Sequence, residues 1–210
     1  MKAYLRTSGG WTGFDTLTDA EEFTERYITI GKKVTIGNKV RLGNNVTLGD
    51  YVTLFDYVTL FDEVRIGNYA TIGNCVEIGD KVTIGDKVTI GDGVTIGNCV
   101  TIGNGVTIGD KVTLGDWVRL RDNVMLGNRV TLGNASIFSR NPLQIIGSRH
   151  LLNEYDNAGN IKIGCHVKHI DWWLENYQKV GEVEHYTEAE IWEYGQYLSL
   201  AKALMNKEVG

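Results

Sequence analysis

Three side chains suited to phosphate binding, Trp117, Arg119 and Arg121, alternate along one short segment of the chain. Alternate residues of a β-strand lie on the same face, so these side chains would project together. Guanidinium groups pair with phosphate oxygens through two hydrogen bonds, and an indole offers a face on which a base can stack. The segment predicts a site for a small anionic ligand of the phosphate or nucleotide type, with Arg65 and Arg140 as further ligand-binding residues. Packing against the C-terminal part of the chain or a neighbouring subunit is the alternative.

A second group of unusual residues is aromatic. Its members are Tyr51, Phe55, Tyr57, Phe61 and Tyr69. We expect these side chains to crowd one edge of the folded chain, and contiguous exposed aromatic residues are typical of interfaces. They predict a contact between subunits, with a ligand groove between the subunits as the alternative.

The histidines all lie in the last third of the sequence. Cys165, His166 and His169 fall within five residues, and His150 or His185 could add a fourth zinc ligand. Their spacing, however, matches no strong zinc pattern, and the stretch leads straight into a predicted helix. The sequence therefore predicts no metal site and no resident cofactor.

A six-residue period dominates the chain and must position these residues. It runs through eighteen units over residues 27–134 without an insertion, as in the KVTIGD of residues 81–86 and again of residues 87–92. The second position is Val except at Ile28 and Ala70, and the fourth is always Ile or Leu. This alternation indicates a strand of about four residues with one buried face. The Gly and Asn/Asp at positions five and six are expected to adopt positive φ and turn the chain.

Such a short fixed period predicts a stacked architecture. Three units per turn would give about six 18-residue coils of parallel strands, stacked roughly 4.8 Å apart. The repeat resembles that of the hexapeptide-repeat superfamily, a likeness that covers about half of the chain. It implies a mainly β fold, a left-handed parallel β-helix solenoid, and assembly as a homotrimer with parallel solenoids.

Many members of that superfamily are acyltransferases that use acetyl-coenzyme A or another acyl-coenzyme A, with a histidine as general base. Residues 27–134 contain no histidine, so His150 is the residue that the resemblance leaves for this role. Another branch, similar to γ-class carbonic anhydrases, holds zinc with three coil histidines and is excluded for the same reason.

The organisation predicted from the sequence has three parts: an N-terminal cap over residues 1–26, the repeat β-helix over 27–140, and an α+β appendage over 141–210. The pair Thr18 and Glu21 indicates a capping box that opens a short helix covering the first coil. In the appendage, residues 144–152 and 160–164 are expected to form a hairpin, and two helices follow. Their inward residues are expected to be Ile170, Trp173, Leu174, Tyr177, Ile191, Tyr194, Leu198 and Ala201.

Composition bounds the possible partners. The formal net charge of −5 gives no indication of nucleic acid or an anionic membrane surface. No apolar run is long enough to span a membrane and the N-terminus lacks a signal-peptide core, which predicts a cytoplasmic location. Three cysteines do not form a disulfide framework. The appendage looks like those that follow hexapeptide solenoids in bacterial and phage proteins, which would mean the host cytoplasm for a phage-encoded chain.

These observations favour a non-catalytic homotrimer that binds or sequesters a small anionic ligand between subunits. Acyl transfer from an acyl-coenzyme A, with His150 as base, is the enzymatic alternative. A structural or assembly module, in which the appendage docks a partner, is the third.

Overall fold

The computed structural model describes residues 3–7, 10–14 and 25–206. The chain divides into two compact units, Met1–Asn141 and Pro142–Gly210. The first contains the repeats and the second contains a small sheet with two helices.

The repeats form a parallel β-solenoid with three sheets, to which consecutive units contribute strands in turn. Strands 18 residues apart pair in register, as Thr83 does with Thr101. The first sheet contains β5 (Arg41–Leu42), β8 (Thr59–Leu60), β11 (Glu77–Ile78), β14 (Thr95–Ile96), β17 (Thr113–Leu114) and β20 (Thr131–Leu132). The second contains β4 (Thr35–Ile36), β7 (Thr53–Leu54), β10 (Thr71–Ile72), β13 (Thr89–Ile90), β16 (Thr107–Ile108) and β19 (Met125–Leu126). The third contains β3 (Thr29–Ile30), β6 (Thr47–Leu48), β9 (Arg65–Ile66), β12 (Thr83–Ile84), β15 (Thr101–Ile102), β18 (Arg119–Leu120) and β21 (Ile137–Phe138).

The core lies along the solenoid axis and consists of the second- and fourth-position side chains. Val82, Ile84, Val88 and Ile90, for example, are each at most 2 % exposed. Burial of such aliphatic side chains stabilises a fold by roughly 1.5–3 kcal/mol each. The solenoid and its inward residues are therefore as predicted, although each strand contains two residues instead of about four.

The position of the positive-φ residue within each six-residue repeat differs from the sequence-based expectation. It occupies the first position, at residues such as Tyr51, Lys87 and Trp117, and the fifth-position glycines of the solenoid are not among the positive-φ residues. Glycine is required at position five because the coils approach closely there. A Cβ on Gly91 would lie 2.8 Å from the backbone nitrogen of Asp110, one coil further along.

The sixth-position Asn and Asp side chains have a related role between coils. The Oδ1 atom of Asn104 accepts a hydrogen bond of 2.8 Å from the backbone N–H of Asp86. A bond of the same kind, between residues 18 positions apart in the sequence, recurs along each corner. These side chains therefore satisfy backbone donors that the short strands leave unpaired.

Two elements extend the solenoid. At its beginning, β1 (Ala3–Thr7) and β2 (Gly10–Phe14) pair with each other, and β1 joins the first sheet next to β5. The cap helix expected to begin at Thr18 falls on residues outside the described part of the chain. At its end, β21 adds one more turn, in which Phe138 is buried and the Ser136 hydroxyl donates to the Gly133 carbonyl at 2.8 Å.

The second unit has a four-stranded antiparallel sheet in place of a simple hairpin, together with the two expected helices. The strands are β22 (Gln144–Ile146), β23 (Leu151–Glu154), β24 (Asn160–Ile163) and β25 (His166–His169), and the helices are α1 (Ile170–Val183) and α2 (Glu188–Asn206). Thr187 and Glu190 form a capping box at the start of α2, with Glu190 N–H donating to Thr187 Oγ1 at 3.2 Å. Within the described residues, neither helix is both long and apolar enough to cross a membrane.

Candidate functional site

The last complete coil contains an open groove on the third sheet, which we call the last-coil groove. It has a volume of about 500 Å³ and contains Arg119 and Arg121. Its remaining lining residues are Thr101, Gly103, Leu120, Asp122 and Ile137. Strand β18 lies between β15 and β21, so Arg119 projects between Thr101 and Ile137. The structure thus brings together the two arginines that the sequence singled out.

Trp117 stands at the corner that precedes β18. Its φ of 62° places it at the left-handed first position, and its side chain is 62 % exposed. First-position side chains 18 residues apart stack directly on each other, as Tyr51 and Tyr69 show with ring centroids 4.9 Å apart and planes within 5°. The first-position residues one coil before and one coil after Trp117 are the small Cys99 and Ala135. No aromatic neighbour of this kind therefore covers the indole.

The charge in the last-coil groove is available for a ligand. Arg119 and Arg121 are both exposed, and among the described residues neither guanidinium has an ion-pair partner. Arg121 replaces a corner glycine, and the following coil has Arg140 where the five preceding coils carry an Asn or Asp. The Asn/Asp contact that restricts position five in other coils is therefore missing here.

The other two predicted arginines differ in their relation to the groove. The register that pairs Arg119 with Ile137 places Arg140 one coil beyond Asp122, and its Nη1 donates to the Asn141 carbonyl at 2.9 Å. Arg65 lies on β9, three strands from β18 in the same sheet, a separation of about 14 Å at ordinary strand spacing. The structure does not bring Arg65 into the last-coil groove.

The aromatic residues do not crowd a single edge, which corrects the expectation above. Tyr51 and Tyr69 stack at the corner before the second sheet, Phe55 and Tyr57 lie at the next corner, and Phe61 lies at the third. The six-residue period causes this distribution, because each unit turns the chain to a new sheet. The Tyr51 ring also lies beneath the Lys33 ammonium, 5.1 Å from the ring centroid. A role in subunit contact stays a prediction.

The candidate zinc ligands of the appendage have other partners. His166 Nε2 lies 2.9 Å from Glu184 Oε1, and His169 caps α1 by accepting from the Asp171 N–H at 3.3 Å. Cys165 is an exposed free thiol. In the described part of the chain, no three His, Cys, Asp or Glu side chains gather as metal ligands.

His150, the candidate general base, is half-buried in the second unit. Its Nδ1 lies 2.6 Å from the Tyr186 hydroxyl, and its backbone N–H donates to the Tyr194 hydroxyl. Burial raises the pKa of Tyr186 to about 12, so this phenol keeps its proton at neutral pH. No sequence pattern predicts this pair, because the two residues are 36 positions apart.

Residues 21–108 match the family model described as the GMPPB C-terminal domain, and no curated protein matches. Among solved structures, the acetyltransferase domain of PglB from Neisseria gonorrhoeae FA1090, in complex with acetyl coenzyme A, is 16 % identical with a TM-score of 0.49 over 56 % of this chain and 60 % of that chain.

Two further solved structures are similar. A mutant of GDP-perosamine N-acetyl transferase from Caulobacter crescentus, in complex with CoA and GDP-perosamine, is 19 % identical with a TM-score of 0.36 over 54 % of this chain and 50 % of that chain. UDP-N-acetylglucosamine acyltransferase from Campylobacter jejuni is 14 % identical with a TM-score of 0.31 over 82 % of this chain and 92 % of that chain.

The match thus spans only half to three-fifths of the length of the PglB domain and the perosamine enzyme. At these identities the likeness concerns the fold. The unbroken six-residue repeat and its stacked coils give this chain the left-handed parallel β-helix fold.

Proposed function

We propose that the last-coil groove binds a phosphate-bearing nucleotide ligand of the coenzyme A type, and that the chain uses it as an acyl donor. The observation that carries the proposal is the pair of exposed arginines, Arg119 and Arg121, that line an open groove of about 500 Å³, with the exposed Trp117 at the corner that precedes β18. No other six-residue repeat within residues 27–134 combines one tryptophan with two arginines.

The spacing of the three side chains suits a nucleotide. Residues two positions apart in a chain are at most about 7 Å apart at their Cα atoms, so the base and the phosphates of one ligand could contact Trp117 at the corner, Arg119 on β18 and Arg121 at the next corner. Arginine pairs with phosphate through parallel hydrogen bonds, and base stacking on an aromatic side chain contributes about 1–3 kcal/mol. The small Ala135 leaves space for that base over the indole.

Acyl transfer follows from the superfamily resemblance together with this ligand chemistry. Coenzyme A carries an adenine base and several phosphates, which are the groups that the groove suits. In the reaction, a base removes a proton from an acceptor hydroxyl or amine, the acceptor attacks the thioester carbonyl, and the coenzyme A thiolate leaves and takes up a proton. His150 is the candidate base by residue type, with Nδ1 engaged by Tyr186.

Non-catalytic binding or sequestration of the same ligand is the second candidate. It is favoured by the lack of any histidine in residues 27–134, where the coils would otherwise supply a general base. We expect a homotrimer in either case, with the groove facing a neighbouring solenoid.

Calorimetric titration with coenzyme A and acetyl-coenzyme A tests binding, and release of free thiol from acetyl-coenzyme A with a panel of amino sugars and hydroxyl acceptors tests transfer. We expect binding that is lost in the Arg119→Ala, Arg121→Ala double variant. Arg129→Ala is the matched control, because Arg129 is an exposed solenoid arginine in a different six-residue repeat. Binding without turnover would favour the non-catalytic role. Failure of both ligands to bind would contradict the proposal and favour a structural module.

A further inference from the structure

The outer face of α1 carries an open groove that the proposed function does not use, and we call it the α1 groove. It has a volume of about 240 Å³. Trp172, Val180 and Val183 form its apolar walls, and Asn176 and Lys179 are among its polar residues. No described residue of α2 lines it, so the α1 groove lies outside the packing of α1 against α2.

An indole side chain stands exposed on α2. Trp192 is 67 % exposed, whereas Tyr194, two positions further along, is buried in the core of the second unit. The residues one or two turns from Trp192 on the same face of the helix are Ala189, Gln196 and Ser199, which are small or uncharged. A second surface can therefore approach α2 closely at this point, and tryptophan is enriched at protein interfaces.

The α1 groove has the size of an indole. An apolar cavity of about 150 Å³ holds benzene, which has six ring atoms. In proportion, about 240 Å³ corresponds to a nine-atom ring system such as indole. The walls are also suitable, because Trp172 is 37 % exposed and Val183 is 67 % exposed, so both offer apolar surface that a partner would remove from water.

The α1 groove also provides a hydrogen-bond acceptor for an indole N–H. Asn176 Nδ2 donates to the Trp172 carbonyl at 2.8 Å, which fixes the amide and leaves its Oδ1 atom as an acceptor. A buried tryptophan usually finds such a partner for its N–H. In the part of the chain that the structure describes, the Trp192 N–H makes no hydrogen bond of its own. The groove and Trp192 thus complement each other in size and in hydrogen bonding.

The charges around the two surfaces are opposite in sign. Residues 188–196, which surround Trp192 on α2, contain three glutamates and no lysine or arginine. The α1 groove contains Lys179, and the Lys168 ammonium lies 5.1 Å from the ring centroid of the groove's tryptophan. Opposite charges on two surfaces favour their association and fix its register.

The charged groups that would meet are available. Over the described residues, neither Glu188 nor Lys179 has an ion-pair partner. Glu188 precedes Trp192 by about one helical turn, so an indole placed in the α1 groove would bring this carboxylate near the Lys179 ammonium. Glu184, the carboxylate that lines the groove, is already paired with His166 at 2.9 Å.

We propose that Trp192 of one chain inserts into the α1 groove of a second copy of this chain. The inserted ring packs against Trp172 and Val183, and its N–H donates to Asn176 Oδ1. Because the indole and the groove are different surfaces, the contact is head-to-tail, and repetition of such a contact closes a ring where the rotation permits. This arrangement agrees with the homotrimer expected above. It involves only the second unit and does not depend on the ligand of the last-coil groove.

Cross-linking between two variants of the full chain tests the proposal. In both variants the three native cysteines, which are free thiols, are replaced by serine. One variant then carries Lys179→Cys and the other carries Glu188→Cys. Co-expressed chains treated with a short bis-maleimide linker should give a covalent dimer on a denaturing gel. Either variant expressed alone should give none, because a head-to-tail contact brings different positions together. No dimer from the co-expressed chains, or an equal yield from one variant alone, would overturn the proposal.

A matched pair of substitutions on α2 locates the contact. Trp192→Ala in both chains should reduce the yield of cross-linked dimer at least about tenfold, since truncation of a central interface tryptophan typically weakens binding by this factor or more. Leu204→Ala shortens another exposed side chain of the same helix and should leave the yield unchanged. Far-ultraviolet circular dichroism reports the folding of both. Undiminished cross-linking with a folded Trp192→Ala chain, or an equal loss with Leu204→Ala, would exclude insertion of the indole. No coenzyme A is present, so this outcome is separate from that of the calorimetric test.

Discussion

Two glycines separated by a single residue, Gly91 and Gly93, should respond differently to substitution. Gly91 occupies position five of its unit and has no positive φ, whereas Gly93 occupies position one with φ of 65°. From backbone preference alone, glycine would be expected to be required at position 93, because a left-handed backbone conformation favours glycine. The structure assigns the strict requirement to Gly91 instead.

The magnitude follows from the contacts of the missing side chains. A Cβ on Gly91 would lie 2.8 Å from both Asp110 N and Gly109 C, and it would displace the Asp110 carboxylate that accepts from Asp92 N–H at 3.0 Å. Overpacking against backbone costs about 1–3 kcal/mol, and loss of the hydrogen bond adds about 1 kcal/mol. We therefore expect Gly91→Ala to destabilise the solenoid by about 2–4 kcal/mol.

The matched substitution at Gly93 should be nearly neutral. A Cβ there would meet only Lys111 Cγ at 3.7 Å, and equivalent first positions hold Lys87 and Asn123 at similar φ. The left-handed conformation costs a non-glycine residue about 1–2 kcal/mol, and the reduced freedom of the unfolded chain returns about 0.4–1 kcal/mol. We expect Gly93→Asn to change stability by no more than about 1 kcal/mol.

Urea denaturation followed by circular dichroism at fixed protein concentration measures both variants. The midpoint of Gly91→Ala should fall clearly below that of the parent chain, with Gly93→Asn close to the parent. A larger loss for Gly93→Asn than for Gly91→Ala would refute the assignment of the close coil contact to position five.

Further predictions concern the site at Trp117 where a nucleotide base would stack, and the second unit, Pro142–Gly210. Ala135→Tyr should stack a ring on Trp117, as Tyr69 does on Tyr51, and weaken coenzyme A binding by about 5- to 100-fold in calorimetry; unchanged affinity would exclude base stacking there. Thr187→Ala removes the α2 cap and should cost about 1 kcal/mol, measured by hydrogen exchange of α2 amides; unaltered exchange would contradict this. The raised pKa of Tyr186, about 12, means that the folded state keeps a proton which the unfolded chain loses above pH 10, so stability should fall between these values. In urea denaturation, Tyr186→Phe should show a smaller fall over that range, and an identical pH profile would refute the linkage.

Much of the solenoid could be predicted because its determinants are local and repeated. Val82 and Ile84 alternate inward with period two, which is visible in any single unit. The role of Gly91 could not be read in this way, because its contact is with residues one coil away. Local preference instead suggested a turn with positive φ, and this placed the left-handed residue at the wrong position.

The candidate functional residues also differ in how far the sequence predicts them. Trp117 and Arg119 stand out as departures from the repeat, and the repeat itself determines their position on β18. The residues around His150 come from separate elements of an irregular segment. His150 and Tyr186 meet only through the packing of α2 and the sheet, for which the sequence offers no period. Strand β25 was missed because its four residues run directly into α1.

The most direct test of the account is calorimetric titration of coenzyme A into the parent chain, the Arg119→Ala, Arg121→Ala double variant and Arg129→Ala. Hydrogen bonds to charged groups contribute about 1.5–3 kcal/mol each, so the double variant should bind at least about 100-fold more weakly. Arg129→Ala should retain the parent affinity. Equal affinity in all three proteins, or an equal loss in both variants, would contradict a specific ligand site in the last-coil groove.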